Sequence, residues 1–249
     1  MSTGSENHLS QQAQSPVNDY DAFAEAYTAE NETGIANAYY ERPAILALAG
    51  DVTDRRILDA GCGSGPLFEA LHERGADVTG IDSSAGMLAL ARRRLGDGAK
   101  LTAAELGYPL PFPDSTFDDV VASLVLHYLR DWATALSELR RVLRVGGRLL
   151  VSVDHPFAIH GINYVAGRKT DYFATYNYTD EWTMGGRSVP MSFWNRPLHA
   201  MTDAFTAAGF QLRVISEPQP VPAARELFPV EYAALTTTPS FLFFVLQAV

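Results

Sequence analysis

Cysteine is almost absent from this chain. Cys62 is the one thiol in 249 residues, so neither an intrachain disulfide framework nor a cysteine-based metal cluster can form. A reducing cytoplasm suits such a chain. Basic residues are also in short supply: 19 Lys and Arg against 29 Asp and Glu leave a formal net charge of -10, which repels nucleic-acid backbone and anionic membrane alike. The basic clusters Arg92-Arg93-Arg94 and Arg140-Arg141 fall on helical stretches, where solvated faces and ion pairs account for them. Long apolar runs are missing, and Phe241 to Leu246 is far too short to cross a bilayer. Residues 1–15 have neither the apolar centre of a signal peptide nor the basic amphipathic character of a transit sequence, and read as a disordered tail. Histidines and carboxylates do not recur at ligand spacing on one helix. These absences predict a cytoplasmic protein without nucleic-acid, membrane or metal partners.

What is there is a 47% hydrophobic chain, enough for one large domain or one domain carrying an insertion. Its most informative stretch is Ile57-Leu58-Asp59-Ala60-Gly61-Cys62-Gly63-Ser64-Gly65-Pro66. An apolar run ends in an acid and then in glycines two apart, the pattern of a strand entering a tight turn. Without Cβ atoms, Gly61, Gly63 and Gly65 let a ligand lie against the main chain itself. Pro66, followed by Leu67, Phe68 and Leu71 at helical spacing, starts a helix whose free N–H groups and positive dipole end face the same spot. Dinucleotide sites use a similar turn, with an acid about 20 positions downstream on the ribose. Here the spacing is Gly-x-Gly-x-Gly instead, and Asp59, two residues before the first glycine, favours a cationic group over a pyrophosphate. The stretch resembles motif I of the class I S-adenosylmethionine-dependent methyltransferases.

The residues to either side extend that resemblance. From Asp19 to Ala49 the residues Tyr20, Phe23, Ala26 and Tyr27, then Ile35, Tyr39, Ile45 and Leu48, recur at helical spacing and predict two helices, a cap over residues 16–50 before the main domain of residues 51–249. Aromatic N-terminal helices fold over the cofactor in this family, which makes Tyr20 and Tyr27 candidate lid residues. After a helix from Pro66 to Arg74, a second strand from Asp77 to Ile81 ends at Asp82, whose two carboxylate oxygens suit the hydroxyls of an adenosine ribose. Ser83 or Ser84 then caps a helix containing Met87. Asp-Ser-Ser-x-x-Met resembles the family's version of this turn, in which the methionine packs on the adenine. A third strand, Ala99 to Ala103, leads to Glu105 and Leu106, to which the resemblance assigns the adenine amino group and a ring nitrogen. Leu110-Pro111-Phe112-Pro113-Asp114 and Phe117-Asp118 stand close to the family's LPFPD…FD signature, and Phe117 to Ser123 is the fourth strand. Ala60 and Ser123 complete the implied cofactor set. No Asn/Asp-Pro-Pro-aromatic tetrad follows, Leu124-Val125-Leu126-His127 standing in its place, so no nucleic-acid target is implied.

A helix through Leu136, Leu139 and Val142 ends at an Arg144-Val145-Gly146-Gly147 turn before a fifth strand, Arg148 to Val153. His127 and His155 lie just past the fourth and fifth strands, at the carboxyl edge where open α/β sheets bind ligands; they are the candidate general bases, His155 ahead of His127. Residues 157–196 break the βα rhythm. Tyr172 to Thr175 and Ser188 to Trp194 resemble strands around Met184-Gly185-Gly186, predicting a β-hairpin insertion. It reads either as a lid, with Tyr172, Trp182 and Trp194 contacting substrate, or as an insertion whose aromatics pack it onto the domain or onto a second subunit of a homodimer. A helix from Pro197 to Ala208 and strands Gln211 to Ser216 and Ser240 to Leu246 follow. The resemblance implies a Rossmann-like α/β fold: a seven-stranded, mostly parallel sheet in the order 3-2-1-4-5-7-6, its last strand antiparallel, with helices on both faces and the hairpin after strand 5. The implied activity moves a methyl group from S-adenosylmethionine to O, N or C of a small apolar or aromatic acceptor, leaving S-adenosylhomocysteine. Three alternatives stand beside it: the same pocket used for a non-methylating step such as a cyclisation, a nicotinamide-dependent oxidoreductase, and a binding subunit without turnover.

Overall fold

The computed structural model describes residues 18–249, so the tail expected over residues 1–15 lies outside the described residues. Its strands, in chain order, are β1 (Arg56–Ala60), β2 (Asp77–Asp82), β3 (Lys100–Ala103), β4 (Phe117–Ser123), β5 (Leu143–Asp154), β6 (Tyr176–Met184), β7 (Arg187–Asn195), β8 (Phe210–Ser216) and β9 (Phe241–Ala248). Side-chain alternation explains why most of them form one sheet with two covered faces. Leu58, Val120, Val151 and Phe244 enter one core, with Trp132, Leu136 and Phe205. Their neighbours Ile57, Val121, Leu150 and Phe243 enter the other, with Ile45, Phe68 and Leu71. Strands apolar on both sides need helices on both sides.

The main sheet runs β3-β2-β1-β4-β5-β9-β8, and β9 is antiparallel to both of its neighbours. This is the order expected from the sequence, the two hairpin strands having raised the last two numbers by two. Helices α1 (Ala24–Thr33) and α2 (Arg42–Ala49), joined through a π-helical turn at Asn37–Glu41, form the cap. Then come α3 (Pro66–Glu73), α4 (Ala85–Leu95) and α5 (Ala133–Val142).

Two expectations are corrected here. The Arg144–Gly147 turn is part of β5: Phe117 pairs with Leu143 and Asp119 with Arg148, so the extra residues form a bulge. Residue 147 must lack a Cβ there, which would lie 2.9 Å from the carbonyl oxygens of Arg144 and Asp118. The insertion opens with a helix the sequence reading did not anticipate, α6 (Pro156–Val165), which Pro156 starts in the usual first-turn position. Tyr172 to Thr175 is no strand: Asp171 accepts the Phe173 N–H at 2.9 Å in an Asx turn, and β6 begins at Tyr176. The hairpin itself closes through Gly185 and Gly186, both at positive φ, as a two-residue turn requires. Beyond α7 (Leu198–Ala207), the short helices α8 (Ala224–Leu227) and α9 (Pro229–Leu235) were likewise not anticipated.

The hairpin and the cap clasp one another. Asn18 donates to the Ser192 carbonyl at 2.8 Å and accepts its N–H at 2.7 Å, while Tyr27 lies parallel to Trp182, ring centroids 6.2 Å apart. On the other side Asp21 accepts the Ser84 hydroxyl at 2.5 Å and the Gly86 N–H at 2.8 Å, fastening the cap to the start of α4. Replacing Asp21 by alanine removes that fastening and leaves the cavity walls intact. Stopped-flow release of a ligand held beneath the cap should be about fivefold or more faster from the D21A protein, the equivalent of at least one net hydrogen bond.

Candidate active site

The turn after β1 is pinned to the tip of β2, because the N–H groups of Gly61 and Cys62 both donate to the Ile81 carbonyl, at 2.8 and 2.9 Å. Gly61 has φ +82°, and a Cβ there would stand 2.6 Å from Cγ2 of Val125. Gly63, by contrast, has open space beside it, and its N–H donates to Oδ2 of Asp82 at 2.9 Å. The other oxygen of Asp82 accepts the Ser84 N–H at 2.8 Å. Two backbone donors therefore hold the carboxylate still and leave it lone pairs for a ligand. Ser84, not Ser83, caps α4, accepting the Met87 N–H at 3.0 Å.

These elements enclose a cavity of about 330 Å³. Asp59, Gly61, Gly63, Asp82 and Ser83 line it from the β1 and β2 tips, Met87, Glu105 and Leu106 from the β3 side, Tyr20 and Tyr27 from the cap, and Ser123 from β4. Ala60 and Gly65 do not line it. Ala60 is fully buried in the sheet, and Gly65 owes its missing Cβ to Leu95 of α4, which would stand 3.0 Å from it. Asp59 is 1% exposed, and neither of its carboxylate oxygens has a side-chain partner among the described residues, the Phe68 N–H being near enough only to offset part of the burial. Burial, then the charges of Asp82 and Glu41, push its carboxyl up to about 8.

Neither candidate histidine lines the cavity. His155 Nε2 lies 2.7 Å from Glu217 Oε1, away from the site. His127 is buried, its Nδ1 3.2 Å from Asp154, which also accepts the Tyr178 hydroxyl at 3.1 Å. Burial alone would raise the Asp154 carboxyl, but the imidazole and the phenol outweigh it and hold it below its usual range. The three aromatic candidates also stand back from the cavity. Trp182 backs Tyr27, Tyr172 meets Phe157 and His160 edge-on, and Trp194 lies 5.4 Å from the Arg130 guanidinium.

The cavity holds residues that sequence reasoning passed over, chiefly Glu41, Arg42 and Tyr128. Tyr128 shares a hydrogen bond with Tyr20, and burial keeps both phenols protonated well beyond neutral pH. Glu41 did carry a signal, since it stands one helical turn before Ile45 on an apolar stripe, where an acid is out of place.

A family model described as a methyltransferase domain matches residues 58–151. An S-adenosylmethionine-dependent methyltransferase from Mesorhizobium loti is 30% identical, superposes with a TM-score of 0.68, and covers 82% of this chain and 96% of its own. The chain belongs to the S-adenosylmethionine-dependent methyltransferases. Among curated relatives in this family, a demethylmenaquinone methyltransferase from Thermobifida fusca is 35% identical over 136 residues, and a malonyl-[acyl-carrier protein] O-methyltransferase from Serratia marcescens 36% over 115. The chain spans 58% and 42% of their lengths, and those alignments cover 53% and 43% of this chain. The site fits the methyltransferase cofactor: the Asp59 carboxylate, without a cationic partner among the described residues, suits its cationic methionyl sulfonium, and the turn at Gly61 and Gly63, with open space beside Gly63, leaves the main chain accessible.

Proposed function

We propose that this protein moves the methyl group of S-adenosylmethionine to an oxygen, nitrogen or carbon of a small, apolar or aromatic acceptor. The observation that carries the reading is Asp59, a fully buried carboxylate without a cationic partner among the described residues, lining the cavity on the same side as Asp82. A buried anion of that kind is costly unless a cation joins it. Asp59 and the main chain at Gly61 and Gly63 would take the methionyl end of the cofactor, and Asp82 the ribose hydroxyls. Met87, Glu105 and Leu106 would take the base, with Tyr20 and Tyr27 closing over it. When bound, the cofactor supplies the electrophilic methyl group; the chain's task is to align the acceptor and keep water out. The net charge of -10 disfavours nucleic acid, and the demethylmenaquinone named for one curated relative is a small molecule.

The Asp59 carboxyl gives this reading a pH signature. Its value rises from 3.8 in the unfolded chain to about 8, so the folded protein holds a proton that the unfolded chain releases. In the free protein, stability relative to Asp59→Asn therefore falls as the pH climbs through that window. A cation in the cavity favours the ionised carboxylate. Titration with S-adenosylmethionine at pH 7, in buffers of different ionisation enthalpy, should release about one proton per site in the natural protein and none in D59N. Absence of cofactor binding by the natural protein overturns the reading. Equimolar S-adenosylhomocysteine formed during turnover separates methyl transfer from a cyclisation that leaves the sulfonium intact.

The aromatic insertion enters the same proposal as a wall behind the cap, with a homodimer through its exposed Phe157, Tyr164 and Phe173 as an arrangement that sedimentation at micromolar protein tests.

A further inference from the structure

Glu41 sits in the π-helical turn between the cap helices, a geometry that recurs at functional positions. It is 3% exposed and lines the cavity between the carboxyl ends of β4 and β5. Its Oε1 accepts the hydroxyls of Ser123 at 2.7 Å and Ser152 at 2.6 Å. The hydrogen bonds among the described residues include none to Oε2. The surrounding charges are Arg42, bonded at 2.9 Å to the Asn31 carbonyl, His127, whose Nδ1 stands 3.2 Å from Asp154, and Asp59, which lines the same cavity. Two serines from adjacent strands therefore orient one oxygen of a buried carboxylate and leave the other to the cavity, an arrangement for handling a proton rather than for holding the fold together.

We infer that Glu41 Oε2 receives the proton of the methyl acceptor, and that the acceptor presents its nucleophile as an O–H or N–H group. The inference rests on the methyltransferase reading above and narrows its acceptor to one that presents an O–H or N–H group to Glu41. As the acceptor's lone pair forms the bond to the methyl carbon, the carbon–sulfur bond of the methylsulfonium donor breaks with its electron pair to sulfur. The proton leaving oxygen or nitrogen passes to Oε2 of Glu41. Burial raises the Glu41 carboxyl above its usual range, opposed in part by the hydroxyls of Ser123 and Ser152.

Glutamine preserves the serine contacts through its carbonyl oxygen and replaces the free oxygen by an NH2 group, so E41Q should fold. Calorimetry with S-adenosylhomocysteine should give affinities for the natural protein and E41Q within about twofold of one another, since Glu41 is assigned to the acceptor. With S-adenosylhomocysteine bound, ligand-detected NMR with phenol, benzylamine and anisole reads the acceptor side. Phenol or benzylamine should bind the natural protein and lose about tenfold or more in E41Q, the scale of a charge-assisted hydrogen bond, whereas anisole should not distinguish the two proteins. Equal binding of all three probes to both proteins, or no binding of either hydrogen-bearing probe to the natural protein, overturns the inference. So does a tenfold loss of S-adenosylhomocysteine affinity in E41Q, which reassigns Glu41 to the cofactor. Failure of the natural protein to bind S-adenosylhomocysteine at all removes the underlying methyltransferase reading instead, and is seen before any probe is added.

Discussion

Asp82→Ala should weaken S-adenosylhomocysteine binding by a hundredfold or more, roughly the loss of two charge-assisted hydrogen bonds at about 1.5 kcal/mol each. The effect is large because Asp82 has two duties. Its oxygens accept the N–H groups of Gly63 and Ser84, at 2.9 and 2.8 Å, and so set the position of the glycine turn against the start of α4. Their remaining lone pairs face the cavity, where the ribose hydroxyls are assigned. Asparagine separates the two duties: it keeps one acceptor oxygen but cannot accept both backbone N–H groups and both hydroxyls. D82N should therefore fall between the natural protein and D82A in calorimetry. If D82A binds S-adenosylhomocysteine as tightly as the natural protein, the nucleoside does not lie against β2.

Gly61→Ala should be nearly as damaging, and for a reason unrelated to charge. At φ +82° an L-residue is strained by about 1–2 kcal/mol, and here its Cβ would also press 2.6 Å from Cγ2 and 3.0 Å from Cβ of Val125. Val125 stands at the start of the 3-10 turn after β4 and lines the same cavity, so relief must come from moving a cavity wall. We expect G61A to lower the midpoint of thermal unfolding by several degrees and to abolish measurable cofactor affinity. Adding Val125→Ala removes the closer contact but not the backbone strain. The double variant should recover stability only in part, and full recovery would show that the strain at residue 61 is negligible.

The legible part of the site has a common character. Asp82, Ser83 and Met87 belong to one β2-to-α4 connection, where a strand end, the Ser84 cap and the first turn of a helix fix one another within a few residues. Asp59, Gly61 and Gly63 are just as local, being the end of one strand and the turn it enters. Gly65 belongs to the same glycine series, but its partner is Leu95 in another helix, so spacing alone drew it into the cavity where the fold does not. The histidines show the same limit. A position just past a strand's carboxyl end put His127 and His155 near the ligand edge, yet one side chain turns to Asp154 and the other to Glu217.

Glu41 is the clearest case of a residue that only the assembled molecule explains. Its serine partners are 82 and 111 positions away, on two different strands, and no pattern within the cap predicts them. The hairpin is similar: its aromatic content announced an unusual segment, but α6 and the Asx turn at Asp171 moved its first strand from where alternation had put it.

Periodicity and turn chemistry thus determined most of the strands and helices and the turns after β1 and β2, because each rests on interactions between near neighbours along the chain, while the strand order followed from the family resemblance. The Glu41 side of the cavity was decided by tertiary structure. There the cap, β4, β5 and the hairpin meet, and which buried polar groups find partners, or are left facing the cavity, depends on contacts that close loops of eighty residues and more.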